Sequence, residues 1–356
     1  MRDHAVSIAK GIAIILMVLA HTRFSQYGGV YINMFHMPLF FFMSGYCFKE
    51  KYLDETLPYM KRRVTGIYRP YLKWSLFFLL IHNLCFYVNI YSDEYGFRGT
   101  TSTLYTPSDF LQHAISIATK MQGHEQLLGG FWFLKHLLVG SIIFYVTRRV
   151  VRSPYISIPL LLGLTVFLSF MNWKIPYLGI GARETIGAFF IMVGHVYKTY
   201  HFNIHQNNYF VLFAIVFVGI GSIYWPTTLL SFTYMNVVPY ALTSIIGTLA
   251  LFKVGIYIAD RTRSLAFRFL DYAGRYTLNV LTWHFLSMKL VSLAIIYIYG
   301  LPIKQLSEFP VIEQYATQGW WIAYLFVGVG IPLGGTWLYH MLKEKLNNNK
   351  AKCQAH

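Results

Sequence analysis

The chain has 356 residues, 56% of them hydrophobic and only 12% charged, about half the charge of an average soluble domain. That is too little charge to cover a water-facing surface, so an ordinary soluble enzyme is excluded. The formal net charge of +16 sits in short clusters between apolar runs, a pattern of Lys and Arg retained on the cytoplasmic side of a membrane rather than of a face that tracks nucleic-acid phosphates.

Taken in chain order, ten apolar runs approach the roughly 17–25 residues needed to span a bilayer as a helix. They are Val6–Thr22, Tyr31–Phe48, Tyr71–Ile90, Gly130–Thr147, Ile156–Met171, Thr185–Tyr200, Tyr209–Tyr224, Pro239–Ile258, Leu278–Tyr299 and Trp320–Leu338. The first run follows Arg2 and Lys10 but lacks a small-x-small cleavage site, so it reads as an uncleaved helix. The longest gap, Tyr91 to Gly129, is polar and has room for one short helix near Pro107–Thr119. No soluble domain fits between the runs. The expected architecture is therefore all-α and integral to the membrane, a single domain over residues 1–356 with a short basic tail at 340–356.

Charge alternation orients the spans. With the N-terminus inside, 21 of the 30 Lys and Arg fall in inner segments and 6 in outer ones. This predicts ten spans with both termini cytoplasmic. Lys135, Lys253 and Lys289 fall within spans. The three cysteines, Cys47, Cys85 and Cys353, show no metal-ligand spacing, so neither a disulfide framework nor a metal is expected.

Polar groups inside a membrane are costly and mark function. The acidic residues fall in loops, tails or span edges, with Glu184 nearest to burial. A cation-coupled carrier needs a carboxylate at depth, so its absence argues against a transporter or flippase for lipid-linked glycans. A glycan polymerase would need a large charged outer loop, and none is present. Histidines are present instead: His21, His36, His82, His136, His195 and His284 lie in or at the ends of spans. An imidazole titrates near neutrality and suits proton transfer.

Lys10 and His21 are eleven positions apart, so they share one helix face about 16 Å apart along the axis. Either Lys10 snorkels to the headgroups, or the two line a channel with a cation at one end and a base at the other. His36 opens the second run and should sit at the depth of His21. In the segment from Phe35 to Tyr46, Ser44-Gly45 permits close approach by another helix or by a ligand. Between Lys49 and Lys73 lie seven basic residues. They serve either as a topology signal on anionic headgroups or as a site for a phosphorylated cofactor, with Arg62, Arg63 and Arg69 as the contacts.

These residues carry a family resemblance. Lys10-Gly11 through Ala20-His21 resembles the first-helix signature of the acyltransferase-3 family of bacterial membrane acyltransferases, a basic residue, ten residues, then His. Lys in place of the commoner Arg, and Phe35-His36-Met37-Pro38 through Ser44-Gly45-Tyr46, are similar to the branch of fucose 4-O-acetylases. Arg62-Arg63 with Arg69-Pro70-Tyr71, Gly130-Phe131-Trp132-Phe133-Leu134, Phe189-Phe190 with Gly194, and Tyr276-Thr277-Leu278 through His284 resemble further segments of the family. Ser7 departs from it, standing where relatives often carry Asp.

The resemblance implies transfer of an acyl group, usually acetyl from acetyl-CoA, to a hydroxyl of a cell-surface glycan or its lipid-linked precursor in the bacterial inner membrane. Under that reading His21 is the general base, with His36 and Lys10 also catalytic. Arg62, Arg63, Arg69 and Ser44 hold the acyl-CoA, and Trp132, His136, Glu184 and His284 contact the acceptor. A sugar hydroxyl is a poor nucleophile that a histidine base activates. The developing oxyanion then needs a donor, and His36, Lys10 or Ser44 can supply it. Membrane lipids are the expected surroundings, with no nucleic-acid partner.

Overall fold

The computed structural model describes residues 3–97, 101–200, 209–261 and 264–354. Arg2, Arg98 and Arg263, used in the charge alternation, lie outside the described residues, as do the side chains of Lys350 and Lys352. The chain is helical almost throughout, with one two-stranded hairpin, β1 (Lys174–Ile175) and β2 (Ile180–Gly181). Four described helices are long and apolar enough to cross a membrane: His4–His21, Val237–Asp260, Thr277–Tyr299 and Glu313–Asn347. Pro154–Phe170 and Phe210–Tyr224 are apolar but shorter. Helices of this kind satisfy their own backbone groups and present apolar side chains to lipid. The chain is accordingly a multi-pass α-helical membrane protein.

Helix α1 (His4–His21) starts at Asp3, whose side chain accepts a hydrogen bond from the Val6 amide. The second expected run is divided in two, α2 (Gln26–Asn33) and α3 (His36–Tyr46). Pro38 explains the break, because its ring lacks an N–H and conflicts with the carbonyl four residues back. The third expected run is also divided. A stretch that begins with α4 (Thr56–Arg63) passes through a π-turn at Val64–Tyr68 into α5 (Arg69–Leu80), and turns at Ile81 into the short α6 (His82–Tyr87). Helix α7 (Pro107–Lys120) matches the short helix expected there, opened by a capping box between Thr106 and Asp109.

Helices α8 (Trp132–Val150), α9 (Pro154–Phe170), α10 (Ala182–Thr199), α11 (Phe210–Tyr224) and α12 (Val237–Asp260) follow, close to the expected limits. Helices α8 and α10 are of spanning length, yet they carry Lys135 and His136, and Glu184 and His195, all of them buried. Amphipathic α13 (Leu265–Arg275) precedes α14 (Thr277–Tyr299). The single turn α15 (Glu313–Tyr315) then leads into the long α16 (Trp321–Gln354).

Two helix crossings set the frame. At Gly45 of α3 a Cβ would stand 1.8 Å from the Ile191 carbonyl oxygen of α10, and at Gly194 of α10 one would stand 2.0 Å from the Phe42 carbonyl oxygen. The same holds for α1 on α13, where Cβ atoms on Gly11 and Gly274 would meet the Leu270 and Ser7 carbonyl oxygens at 2.1 and 1.6 Å. Backbones this close need glycine. The signature glycine after Lys10 is therefore a packing residue, and it fixes α1 beside the site.

The acidic residues do not all escape burial. Glu125, Glu184 and Asp271 are buried, Glu125 in a loop, Glu184 in the first turn of α10 and Asp271 within α13, each beside a histidine. Asp271 pairs with His4 at 3.2 Å and with Arg275. The gap from Tyr91 to Gly129 is likewise not a solvated loop. His82 turns inward against Glu125, with Nδ1 3.1 Å from Oε1, and its Nε2 donates to the Thr103 carbonyl at 3.0 Å. Gln126 donates to the carbonyls of Ile90 and Ser307.

Candidate active site

A cavity of about 460 Å³ lies between α1, α3, the π-turn, α8 and α14. On α1 its wall is Val6, Lys10, Ile14 and Met17, the three-to-four spacing of one helix face. Ser44 of α3, Cys47 just after that helix, and Arg62, Arg63 and Gly66 join Lys10 at one end. The Ser44 hydroxyl and the Arg63 Nε are buried without a hydrogen-bond partner. The Arg63 guanidinium lies 5.0 Å over the Tyr59 ring, and Arg62 donates to the Tyr52 hydroxyl at 3.1 Å. Lys10, Ser44, Arg62 and Arg63, all expected at the site, thus meet in one cavity. Arg69 does not line it and is exposed at the start of α5. The π-turn, a feature common at functional sites, carries Gly66 and Ile67 into the wall.

The other end of the cavity is formed by Met17, Met37 and Leu281. Three histidines stand within one helical turn of these residues: His21 beyond Met17, His36 beside Met37, and His284 beyond Leu281. The His21 ring lies 5.6 Å from that of His284 and 4.9 Å from Phe285, centroid to centroid. His36 is within electrostatic reach of His21.

Carbonyls only accept, so Nδ1–H of His36 donates to Ile32 O at 2.8 Å. Nδ1–H of His284 donates to Val280 O at 3.0 Å and to Leu281 O at 3.1 Å. Each neutral ring is thereby left with a lone pair on Nε2. In His284 that atom is buried without a partner. His36 and His284 are buried, whereas His21 is partly exposed.

A second cavity, about 710 Å³, opens at the histidine end. The start of α8 separates the two, with Phe131 and Trp132 lining the larger and Phe133 and Leu134 the smaller. Tyr71 and Ile67, one turn apart on the α4–α5 stretch, divide in the same way. Gly129 lines the larger cavity, and a Cβ there would come within 3.3 Å of Phe285. Gly129 and Phe285 therefore stand between this cavity and His21.

Trp132 packs edge-on against His136 at 5.4 Å, and His136 Nδ1 is 3.2 Å from Glu184 Oε1. The other Glu184 oxygen accepts from the Gly181 amide at 2.7 Å, capping α10. Trp132, His136 and Glu184 are thus together, as expected, while His284 belongs to the histidine layer. Sequence reasoning missed Lys135, which donates to the Leu178 carbonyl at 2.6 Å, as well as Lys174 and Arg183. The signal for Lys135 was a charge inside a span. For the other two there was none, because a hairpin brings them in.

The model of the acyltransferase-3 family, described as an acyltransferase domain, matches residues 3–340. No curated protein and no solved structure matches the chain. The match covers nearly all of the helices just described, including both cavities and the histidine layer. The chain belongs to the acyltransferase-3 family.

Proposed function

We propose that the chain is an O-acyltransferase of the bacterial cytoplasmic membrane. It moves an acetyl group from acetyl-CoA to a hydroxyl of a cell-surface glycan or its lipid-linked precursor. Its ten spans, two of them broken, leave both termini and the Lys10 end of α1 in the cytoplasm. The basic residues of the 49–73 segment lie on that side.

The observation that carries the reading is the single cavity that begins at Lys10, Ser44, Arg62 and Arg63 and ends one turn short of His21. The arginine forks suit the phosphates of CoA. The apolar wall of Ile14, Met17, Phe40 and Leu281 suits the pantetheine arm, which carries the thioester toward the histidines. The acceptor enters from the opposite side, through the cavity lined by Trp132 and His136.

His21 takes the proton of the acceptor hydroxyl as its oxygen attacks the thioester carbonyl. The C–S bond breaks, and the CoA thiolate leaves with the proton returned from His21. The fixed ring of His284, with its free Nε2, holds the reacting groups in line.

The test is direct. The purified chain, incubated with acetyl-labelled acetyl-CoA and a bacterial lipid-linked glycan fraction, releases CoA and transfers label to the glycan. Release of no CoA and labelling of no glycan contradict the proposal.

A further inference from the structure

The 710 Å³ cavity at the histidine end does not stand alone. A neighbouring cavity of about 360 Å³ runs behind it, and His136, Lys174, Gly179 and Arg183 line both. The β1–β2 hairpin builds this shared wall. Lys174 pairs across it with Gly181, where a Cβ would come within 3.0 Å of the Lys174 side chain. Two residues later Arg183 leaves the first turn of α10 and donates to the Leu230 carbonyl at 2.6 Å. Neither Lys174 nor Arg183 forms an ion pair among the described residues, and Lys135 beside them is tied to a carbonyl.

Two carboxylates line these cavities. Glu125 faces His82, and Glu184 caps α10 and faces His136. His136 is more than nine-tenths buried; its Nδ1 faces Glu184 Oε1 at 3.2 Å, and its Nε2 has no partner among the described residues. Lys135, Lys174 and Arg183 outnumber Glu184 at this junction, so a neutral sugar would leave it net positive. A phosphate or carboxylate would take charge-assisted hydrogen bonds from Lys174 and Arg183, and the free Nε2 of His136 would accept from a hydroxyl of the same ligand.

We infer that the acceptor is anionic, and that Lys174 and Arg183 bind its phosphate or carboxylate group beside His136 at the junction of the two cavities. This rests on the acyl-transfer reading for calling the ligand an acceptor, but binding can be measured without transfer. The probes are glucose 1-phosphate, glucuronate and glucose, titrated calorimetrically into the full chain in detergent.

One of the two anions should bind at least about tenfold more tightly than glucose, the equivalent of one charge-assisted hydrogen bond. Which of them does so identifies the group. The preference should vanish in Lys174→Glu, a change at an exposed residue that leaves the fold intact, and in Arg183→Gln. Equal affinity for all three probes, or a preference that survives Lys174→Glu, overturns the inference. The same preparations are assayed for CoA release. An anion preference without CoA release sinks the transferase reading and leaves the anion site, whereas release without the preference does the reverse.

Discussion

His21 and His284 meet across α1 and α14 with ring centroids 5.6 Å apart, and the buried Nε2 of His284 has no hydrogen-bond partner. The His284 ring is held from behind by two main-chain carbonyls, so its free nitrogen points from a fixed frame. An unpaired buried acceptor costs about 1–3 kcal/mol, and a substrate hydroxyl that donates to it would offset that cost. His284→Ala should lower kcat for acyl transfer by roughly tenfold or more, as expected for a lost hydrogen bond to a reacting group, with the KM for acyl-CoA unchanged. His284→Gln, which restores an acceptor, should recover part of the loss. A change confined to KM would make His284 a packing residue.

At the opposite end of the cavity, Arg62 and Arg63 line the wall and Arg69 does not. Arg62→Ala with Arg63→Ala should raise the KM for acyl-CoA by about tenfold or more, since each charged hydrogen bond to phosphate contributes about 1.5–3 kcal/mol. Arg69→Ala should leave it unchanged. Steady-state kinetics on the double variant and on Arg69→Ala separates a phosphate site from a mere topology signal.

The α3–α10 crossing predicts a folding defect. Gly45→Ala and Gly194→Ala each drive a methyl into a facing backbone carbonyl, and overpacking against backbone costs about 1–3 kcal/mol or more. Thermal unfolding in detergent should fall for both. Gly163→Ala and Gly219→Ala, where nothing lies within 4 Å, should unfold at or above the parent temperature, because alanine is the better helix former.

The His82–Glu125 pair predicts a second defect, in the segment that walls the larger cavity. Both side chains are buried, and removing one partner of such a pair costs about 3–5 kcal/mol. Glu125→Ala should expose the 91–129 segment to limited proteolysis while leaving the membrane helices protected.

The helices were largely legible in the sequence because apolar runs of fixed length have one stable form in lipid. The breaks in the second and third runs were less so. Pro38 sat in plain view, but the turn at Ile81 depends on His82 finding Glu125, forty-three residues away. The Lys10–His21 face followed from helix geometry alone, and Lys10, Ile14 and Met17 do line one wall. The basic junction of Lys174, Arg183 and His136 was not legible, because it is assembled by a two-residue hairpin pairing that leaves no periodic signal. The burial of Glu125 and Asp271 was hidden for the same reason, as each owes it to a distant partner.

The central claim is that His21 moves the proton. His21→Ala, inserted and folded as the parent is, should lose acyl transfer by at least about 10²–10⁴-fold, the range for a lost acid–base group, while still binding acyl-CoA at the Arg62–Arg63 end. A His21→Ala protein that keeps more than about a tenth of the parent rate, far short of that loss, would contradict the account.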